Sequence, residues 1–267
     1  MIQKIVKALA PLGMLAGAAL LSGCDGMNIS IGGDDGVPLA ELDMSGEPPT
    51  ELVLAGPDRV VVTEGDDLDI EVSGDADAVA ALRFSLSDET LAISRESDWK
   101  GSAIATVRVT TPSLTTLVLA GSGDIDAERM SGAANVTVAG SGTVKIARLE
   151  AESLDLTIAG SGDITASGSA GSLDLTVAGS GKAAMAELKV DRAEVSIAGS
   201  GDAEFASDGP VEASIMGSGT VTVNGNADCT VSSMGSGKLR CRPAATKTSE
   251  ASDESEAASA TTVEETD

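Results

Sequence analysis

Apolar and polar residues alternate along most of this chain, and one tetrapeptide, Ala-Gly-Ser-Gly, interrupts the alternation at regular intervals. It occurs first at residues 120–123 and returns six times, with Met in place of Ala in the last two copies. Successive first glycines are 18 to 20 residues apart. A period this regular indicates a protein built from stacked structural repeats. The first glycines of the copies are Gly121, Gly140, Gly160, Gly179, Gly199, Gly217 and Gly235.

The flanks of each tetrapeptide indicate what kind of repeat this is. Before Gly160, Leu156 and Ile158 enclose a threonine, and after it the same alternation resumes with Ile164 and Ala166. A period of two is typical of a β-strand with one buried face. Units of this size cannot bury their own apolar face, but units stacked about 4.8 Å apart share one interior. The pattern therefore predicts an all-β fold, a parallel β-helix (solenoid) with coils of 18–20 residues.

Glycine at the same place in every repeat fits a corner at which each coil bends sharply. A side chain there would clash with the next coil or would require a positive φ. A ligand-binding role for the Gly-Ser-Gly row is the alternative, although any solenoid needs stacked corners. The repeated serines are accordingly interpreted as corner residues and not as nucleophiles.

The first 24 residues have the features of an export signal. Lys4 and Lys7 precede an apolar run over residues 8–21, which is too short to span a membrane. The Leu-Ser-Gly-Cys sequence that follows resembles the lipobox of bacterial lipoproteins, which implies cleavage before Cys24 and lipidation of that cysteine. We therefore predict a lipoprotein signal peptide over residues 1–23. An ordinary secretory signal with a chance cysteine is the alternative.

A lipid anchor makes the membrane the first expected partner. It predicts a location in the cell envelope of a Gram-negative bacterium, lipid-anchored at the periplasmic or the outer surface. Asp25 resembles a residue that retains some lipoproteins in the inner membrane. Because that rule varies between bacteria, the choice of membrane stays open.

Composition divides the rest of the chain. Residues 24–49 are rich in glycine and proline, which predicts a flexible tether. Residues 50–242 form the predicted β-helix domain, in which residues 113–242 carry the Gly-Ser-Gly repeats. Residues 50–112 lack the glycine corner and are interpreted as irregular first coils and a cap, with a separate small β-domain as the alternative. Residues 243–267, which are rich in Ala, Ser, Thr and Glu, predict a disordered acidic tail.

A family resemblance rests on the segment Thr-Pro-Ser-Leu at residues 111–114, which runs into the first tetrapeptide, and on the iterated corners. These features resemble the bacterial head GIN domain family, an adhesin-head family, over about residues 50–242. The resemblance implies that the β-helix is right-handed and that the protein is adhesive. The family brings no catalytic residues to carry over.

Composition also bears on function. The chain has 17 basic and 42 acidic residues, a formal net charge of −25, so nucleic acid is not an expected partner. It contains no histidine or tyrosine, and only three aromatic residues. Enzymes of the β-helix class need a buried acid or base and aromatic platforms for sugars. We predict no catalytic, cofactor or metal site and a non-enzymatic exported lipoprotein, a structural, adhesive or envelope-interaction module. Its partner is an envelope protein or a polysaccharide; a polysaccharide-binding or polysaccharide-processing β-helix is the alternative.

Two cysteines remain besides Cys24. Cys229 and Cys241 lie six residues before and six residues after Gly235, at inward positions of the last coil. An oxidising compartment favours a disulfide that pins this coil, whereas two buried free thiols are the alternative.

One row of outward positions is acidic in four successive coils. Its members are Asp155, Asp174, Glu194 and Glu212. In-register stacking would place these charges about 5 Å apart. Either solvent and salt screen the repulsion, or the carboxylates bind a divalent cation such as calcium weakly.

Overall fold

The computed structural model describes residues 36–87, 89–112 and 114–243. The predicted signal peptide, Cys24 with its predicted lipidation, and the chain beyond residue 243 lie outside the described residues. The described part contains eighteen strands, one short α-helix and one 3-10 turn at Leu39–Glu41. The elements are β1 Glu51–Gly56, β2 Arg59–Glu64, β3 Asp69–Gly74, α1 Ala76–Ala80, β4 Leu82–Ser87, β5 Thr90–Arg95, β6 Ala105–Thr111, β7 Leu114–Gly121, β8 Asp124–Gly140, β9 Thr143–Gly160, β10 Asp163–Ala170, β11 Leu173–Gly179, β12 Lys182–Val190, β13 Ala193–Gly199, β14 Asp202–Ser207, β15 Pro210–Gly217, β16 Thr220–Asn224, β17 Asp228–Gly235 and β18 Lys238–Arg242.

The strands stack into a parallel β-solenoid of about seven turns, as the sequence predicts. On one side, called face A, the strands that precede the glycine corners follow the cap strands β4 and β5. Their order is β4, β5, β1, β7, the second halves of β8 and β9, β11, β13, β15 and β17. The strands that follow the corners form face B, together with the cap strands β3 and β6. Their order is β3, β6, β2, the first halves of β8 and β9, β10, β12, β14, β16 and β18. The long, bent strands β8 and β9 belong to both faces.

The registers align equivalent residues of successive coils. Gly179 pairs with Gly160 on one side and with Gly199 on the other. The apolar residue four positions before the glycine is therefore stacked on its counterparts, and Leu156, Leu175 and Val195 have no solvent exposure. The predicted inward residues form one continuous core up to β16.

The corner glycines have the conformation that the sequence predicts. Gly160 has φ +124°, and a Cβ atom added there would lie 2.4 Å from the carbonyl oxygen of Gly140 in the preceding coil. The second glycine of the motif is needed for a different reason. Gly162 does not have a positive φ, but its added Cβ would lie 2.5 Å from Val138 Cγ1. Both glycines are therefore required by close stacking.

The N-terminal end is closed by irregular elements. Six strands, β1 to β6, lie between residues 50 and 112. Of these, β3 and β4 run antiparallel to β6 and β5, an orientation that the repeats did not predict. The helix α1 lies between β3 and β4 in the chain and was not predicted from the sequence. Its residue Ala78 is buried. Part of the predicted tether also lies on the domain, because Val37 pairs with Phe84 and Leu39 packs against the core. The tether interpretation therefore does not hold for residues 37–42.

A buried ion pair fastens this cap to the first coil. Asp58 is 1% exposed and accepts hydrogen bonds from Arg95 Nε at 2.7 Å and from the backbone N–H of Ala105 at 2.7 Å. The guanidinium of Arg95 also donates to the carbonyl of Ala103 and lies over the ring of Trp99. One carboxylate thus holds both ends of the loop between β5 and β6.

The C-terminal end is open in the described residues. Cys229 and Cys241 are joined by a disulfide, with Cα atoms 6.7 Å apart. Both cysteines occupy inward positions of the strand pattern, as does Val231 of β17. Cys241 is nevertheless exposed and Val231 is 47% exposed, because no further described coil covers them. The sequence predicted inward positions, and the lack of a covering coil explains why these positions are not buried.

Candidate interaction surfaces

The outer side of face A carries the acidic row. Strand pairing places Asp155 beside Asp174, Asp174 beside Glu194, and Glu194 beside Glu212, as in-register stacking requires. A groove of 490 Å³ follows the row, and small residues such as Ser153 line its other side. The row is therefore one continuous acidic strip along the solenoid axis.

The strip perturbs one of its own carboxyl groups. Partial burial, followed by the charge of Asp174, raises the pKa of Asp155. Arg192 lines the same groove and brings a positive charge close to the strip. Within the described part of the chain, no three carboxylate or cysteine side chains are grouped so that they could hold a metal ion. The strip is thus an anionic surface, and weak cation binding stays the alternative to screening by solvent and salt.

The outer side of face B carries a second groove, of 660 Å³. Small side chains, those of Ala147, Ala184 and Ala186, form part of its lining, and Ala184 pairs with Glu204 of the next coil. Lys145 and Asp126, whose charged atoms are 3.9 Å apart, lie at its edge. This shallow apolar depression can hold an apolar group of a partner or a ligand. The groove was not predicted from the sequence, although the outward alanines were the available signal.

The buried polar groups do not form a catalytic arrangement in the described residues. Asp58, Thr111 and Ser207 are the buried polar side chains there, and Asp58 is already paired with Arg95. No thiol is free among these residues, since both cysteines are bonded. An acid, a base and a nucleophile are thus not brought together in the part of the chain that the structure describes.

Aromatic platforms are also missing from both grooves. Phe84 and Phe205 are fully buried in the core. Trp99 packs in the cap against Arg95, with the guanidinium carbon 4.9 Å from the ring centroid. A sugar ring would therefore find no exposed aromatic face in either groove, which weakens the polysaccharide alternative.

The described residues contain no helix with the length and hydrophobicity of a membrane span.

Three solved structures of similar fold come from Bacteroides and Parabacteroides species. One is titled a "putative adhesin" from Bacteroides fragilis NCTC 9343, with 21% identity, a TM-score of 0.68, and coverage of 73% of this chain and 93% of that chain. Another is titled a "putative lipid binding protein" from Parabacteroides distasonis ATCC 8503, with 23% identity, a TM-score of 0.58 and the same coverage. A third, a "putative adhesin" from Parabacteroides merdae ATCC 43184, has 16% identity, a TM-score of 0.60, and coverage of 73% of this chain and 92% of that chain. At these identities the likeness concerns the fold alone.

No curated protein sequence matches the chain. A family model, however, matches residues 48–227, which comprise the first coils, the cap and all but the last strands of the solenoid. The chain therefore belongs to the family described as "Putative auto-transporter adhesin, head GIN domain".

Proposed function

We propose that this protein is a non-enzymatic, adhesin-like interaction module of the bacterial cell envelope, held there by a lipid on Cys24. The observation that carries the proposal is the in-register outer surface. Each outward position is repeated about every 4.8 Å along a stack with a continuous core. Such a surface presents many copies of one weak contact in a fixed geometry, which favours polymeric or clustered partners.

The acidic strip is the part of this surface with the clearest chemistry. Carboxylates from four coils face one groove, so a partner with regularly spaced ammonium, guanidinium or hydroxyl groups can bind several of them at once. Exposed single contacts of this kind contribute little. Repetition along the strip would therefore supply the affinity.

A pull-down from solubilised envelope fractions tests this role. The bait is the chain without its signal peptide and with Cys24→Ala, so that it is soluble. A double variant, Asp174→Asn with Glu194→Gln, removes two charges from the middle of the strip. The matched control, Asp124→Asn with Asp163→Asn, removes two charges from face B. We expect one component to be retained by the bait and by the control and lost with the strip variant; equal retention by all three contradicts the proposal.

The anchor has a separate test. Replacing Cys24 with Ala in the full chain should move the protein from the membrane to the soluble fraction, because so acidic a chain has no charge attraction to anionic lipid. A Cys229→Ser, Cys241→Ser variant controls for the loss of cysteine as such and should stay with the membrane. An unchanged distribution of the Cys24→Ala protein would contradict lipid anchoring.

A second candidate function is the binding of an apolar ligand such as an acyl chain. The groove on face B favours it, since small apolar side chains line a depression of 660 Å³. The similar structure from Parabacteroides distasonis ATCC 8503, which is described as a "putative lipid binding protein", supports this idea. A fluorescent fatty acid is the probe, and Ala186→Lys should abolish its binding while Thr222→Lys, farther along the same face, should not. A glycan-binding screen tests the polysaccharide alternative, which specific retention of one polysaccharide would favour.

A further inference from the structure

The last strand of face B differs in charge from the rest of this acidic chain. β18 presents Lys238, Arg240 and Arg242 outward and Leu239 and Cys241 inward. One edge of β18 pairs with β16. Among the strands of the described residues none pairs with its other edge, so its backbone groups there can accept another strand.

The opposite end of face B has the complementary pattern. Among the strands that the structure describes, β3 is the terminal one on this face, and it pairs through one edge with β6. Asp69 and Glu71 are outward and exposed, with the Glu71 side chain 71% exposed, whereas Ile70 is buried and Val72 packs against the core. Face A has no such free terminus, because Val37 pairs with its outermost strand β4. The N-terminal end therefore offers an acidic, alternating edge on face B alone.

The two edges match residue by residue. β3 runs antiparallel to the other strands of face B, so β18 of one copy would meet β3 of a coaxially stacked copy in antiparallel orientation. Placing Arg240 opposite Glu71 also places Arg242 opposite Asp69 and Lys238 opposite Ser73. The inward residues then meet as apolar pairs, Leu239 with Val72 and Cys241 with Ile70. One register satisfies charge and burial together.

We propose that this protein binds a second copy of itself head to tail, with β18 of one copy added to β3 of the next. The contact joins two different surfaces, so it leaves a free β3 and a free β18 at the ends and can continue into a chain of copies. A symmetric pairing of two β18 edges would instead oppose basic side chains. The contact is small and the copies are acidic overall, so the association is weak in solution and is favoured by confinement on a membrane.

The proposal rests on the role of the domain as an interaction module and names its partner. The self-association test needs no envelope component. A negative result there would not change the pull-down result, and a negative pull-down would not change the self-association result. Sedimentation equilibrium of the Cys24→Ala chain measures self-association over a wide concentration range. We expect the mean mass to rise continuously past that of a dimer. A monomer at every concentration, or a mass that stops at a dimer, overturns the proposal.

Charge reversal tests the register. Arg240→Glu and Glu71→Arg should each weaken association about tenfold, because an attractive pair becomes repulsive. A mixture of the two variants should recover the association of the unaltered chain, since every contact in an alternating assembly then has opposite charges. Lys182→Glu, on face B but inside the stack, is the matched control and should have no effect. Association that ignores both reversals, or a mixture without recovery, overturns the proposal.

Disulfide trapping gives a second readout that does not depend on affinity. A chain with Ser73→Cys is mixed with a chain with Lys238→Cys, both with Cys24→Ala. Opposite residues of antiparallel strands have Cα atoms about 4.5–5.5 Å apart, which is within the reach of a disulfide. We expect a crosslinked dimer under mild oxidation. Glu71→Cys in place of Ser73→Cys shifts the pair by two residues and should not crosslink; equal crosslinking of both pairs overturns the register.

Discussion

The glycines of this chain give the sharpest prediction. Adding a side chain has two costs, backbone strain at a positive φ and overlap of the Cβ atom with neighbouring atoms, and different glycines carry one, both or neither. Gly160 has a positive φ and no room for a Cβ atom. Gly132 has φ +78° and nothing within 4 Å of an added Cβ, whereas Gly162 lacks the positive φ but would place its Cβ 2.5 Å from Val138 Cγ1. Gly46 has neither constraint. Alanine at these four positions therefore measures strain and overlap separately and together.

The magnitudes follow from the two costs. A residue with a side chain in a sparsely populated positive-φ conformation costs about 1–3 kcal/mol. Forcing extra atoms into a packed interior costs about 1–3 kcal/mol. Gly132→Ala and Gly162→Ala should each lose one of these amounts, and Gly160→Ala should lose about their sum, roughly 2–6 kcal/mol. Gly46→Ala should be neutral or slightly stabilising, because alanine restricts the unfolded chain.

Thermal unfolding followed by circular dichroism measures these differences in the Cys24→Ala chain. For a domain of this size, each kcal/mol lowers the melting temperature by about 2–4 °C. Gly160→Ala should therefore melt well below both single-cost variants. If Gly160→Ala melted within a degree of Gly46→Ala, neither backbone strain nor stacking at the corner would explain the repeated glycine. If Gly132→Ala alone matched Gly160→Ala, overlap with the preceding coil would be irrelevant.

Three further predictions concern the cap, the acidic strip and the last coil. Asp58→Ala should destabilise by about 3–5 kcal/mol in chemical unfolding, since it leaves a buried guanidinium unpaired, whereas Glu96→Ala at an exposed pair should cost under about 1 kcal/mol. Burial raises the pKa of Asp155 above its ordinary 3.8, so the folded state binds the proton more tightly and stability falls as the pH rises through that range. Asp155→Asn should therefore stabilise at pH 7 and lose this advantage at low pH; a variant less stable at pH 7 would contradict the assignment. Relative to the unaltered chain, the Cys229→Ser, Cys241→Ser variant should exchange amide hydrogens faster in β17 and β18 but not in β11. Unchanged exchange in β17 and β18 would show that the bond does not hold the last coil.

Much of the fold could be predicted from local pattern. The alternation around each tetrapeptide assigned inward residues such as Ile158 and Ile164, which are fully buried. The period of 18 to 20 residues led to the correct pairing of equivalent positions, and hence to the acidic strip from Asp155 to Glu212. Prediction succeeded here because every coil repeats the same contacts with its neighbours, so the sequence of one coil contains the information for its stacking.

The ends and the grooves could not be obtained in this way. Antiparallel β3 and β4 and the burial of Asp58 depend on contacts that occur once, between residues far apart in the chain and without a period. The groove on face B likewise could not be predicted from one coil, because its lining combines side chains from several strands, such as Ala147 of β9 and Ala184 of β12.

The sequence by itself determined the coil, because alternation and glycine corners are local properties that every repeat restates. The tertiary structure alone decided which end of the stack is closed and which is open. Val231 has the alternating context of its buried counterparts, yet it is 47% exposed, because burial in a solenoid comes from the neighbouring coil and the last described coil has a neighbour on one side only.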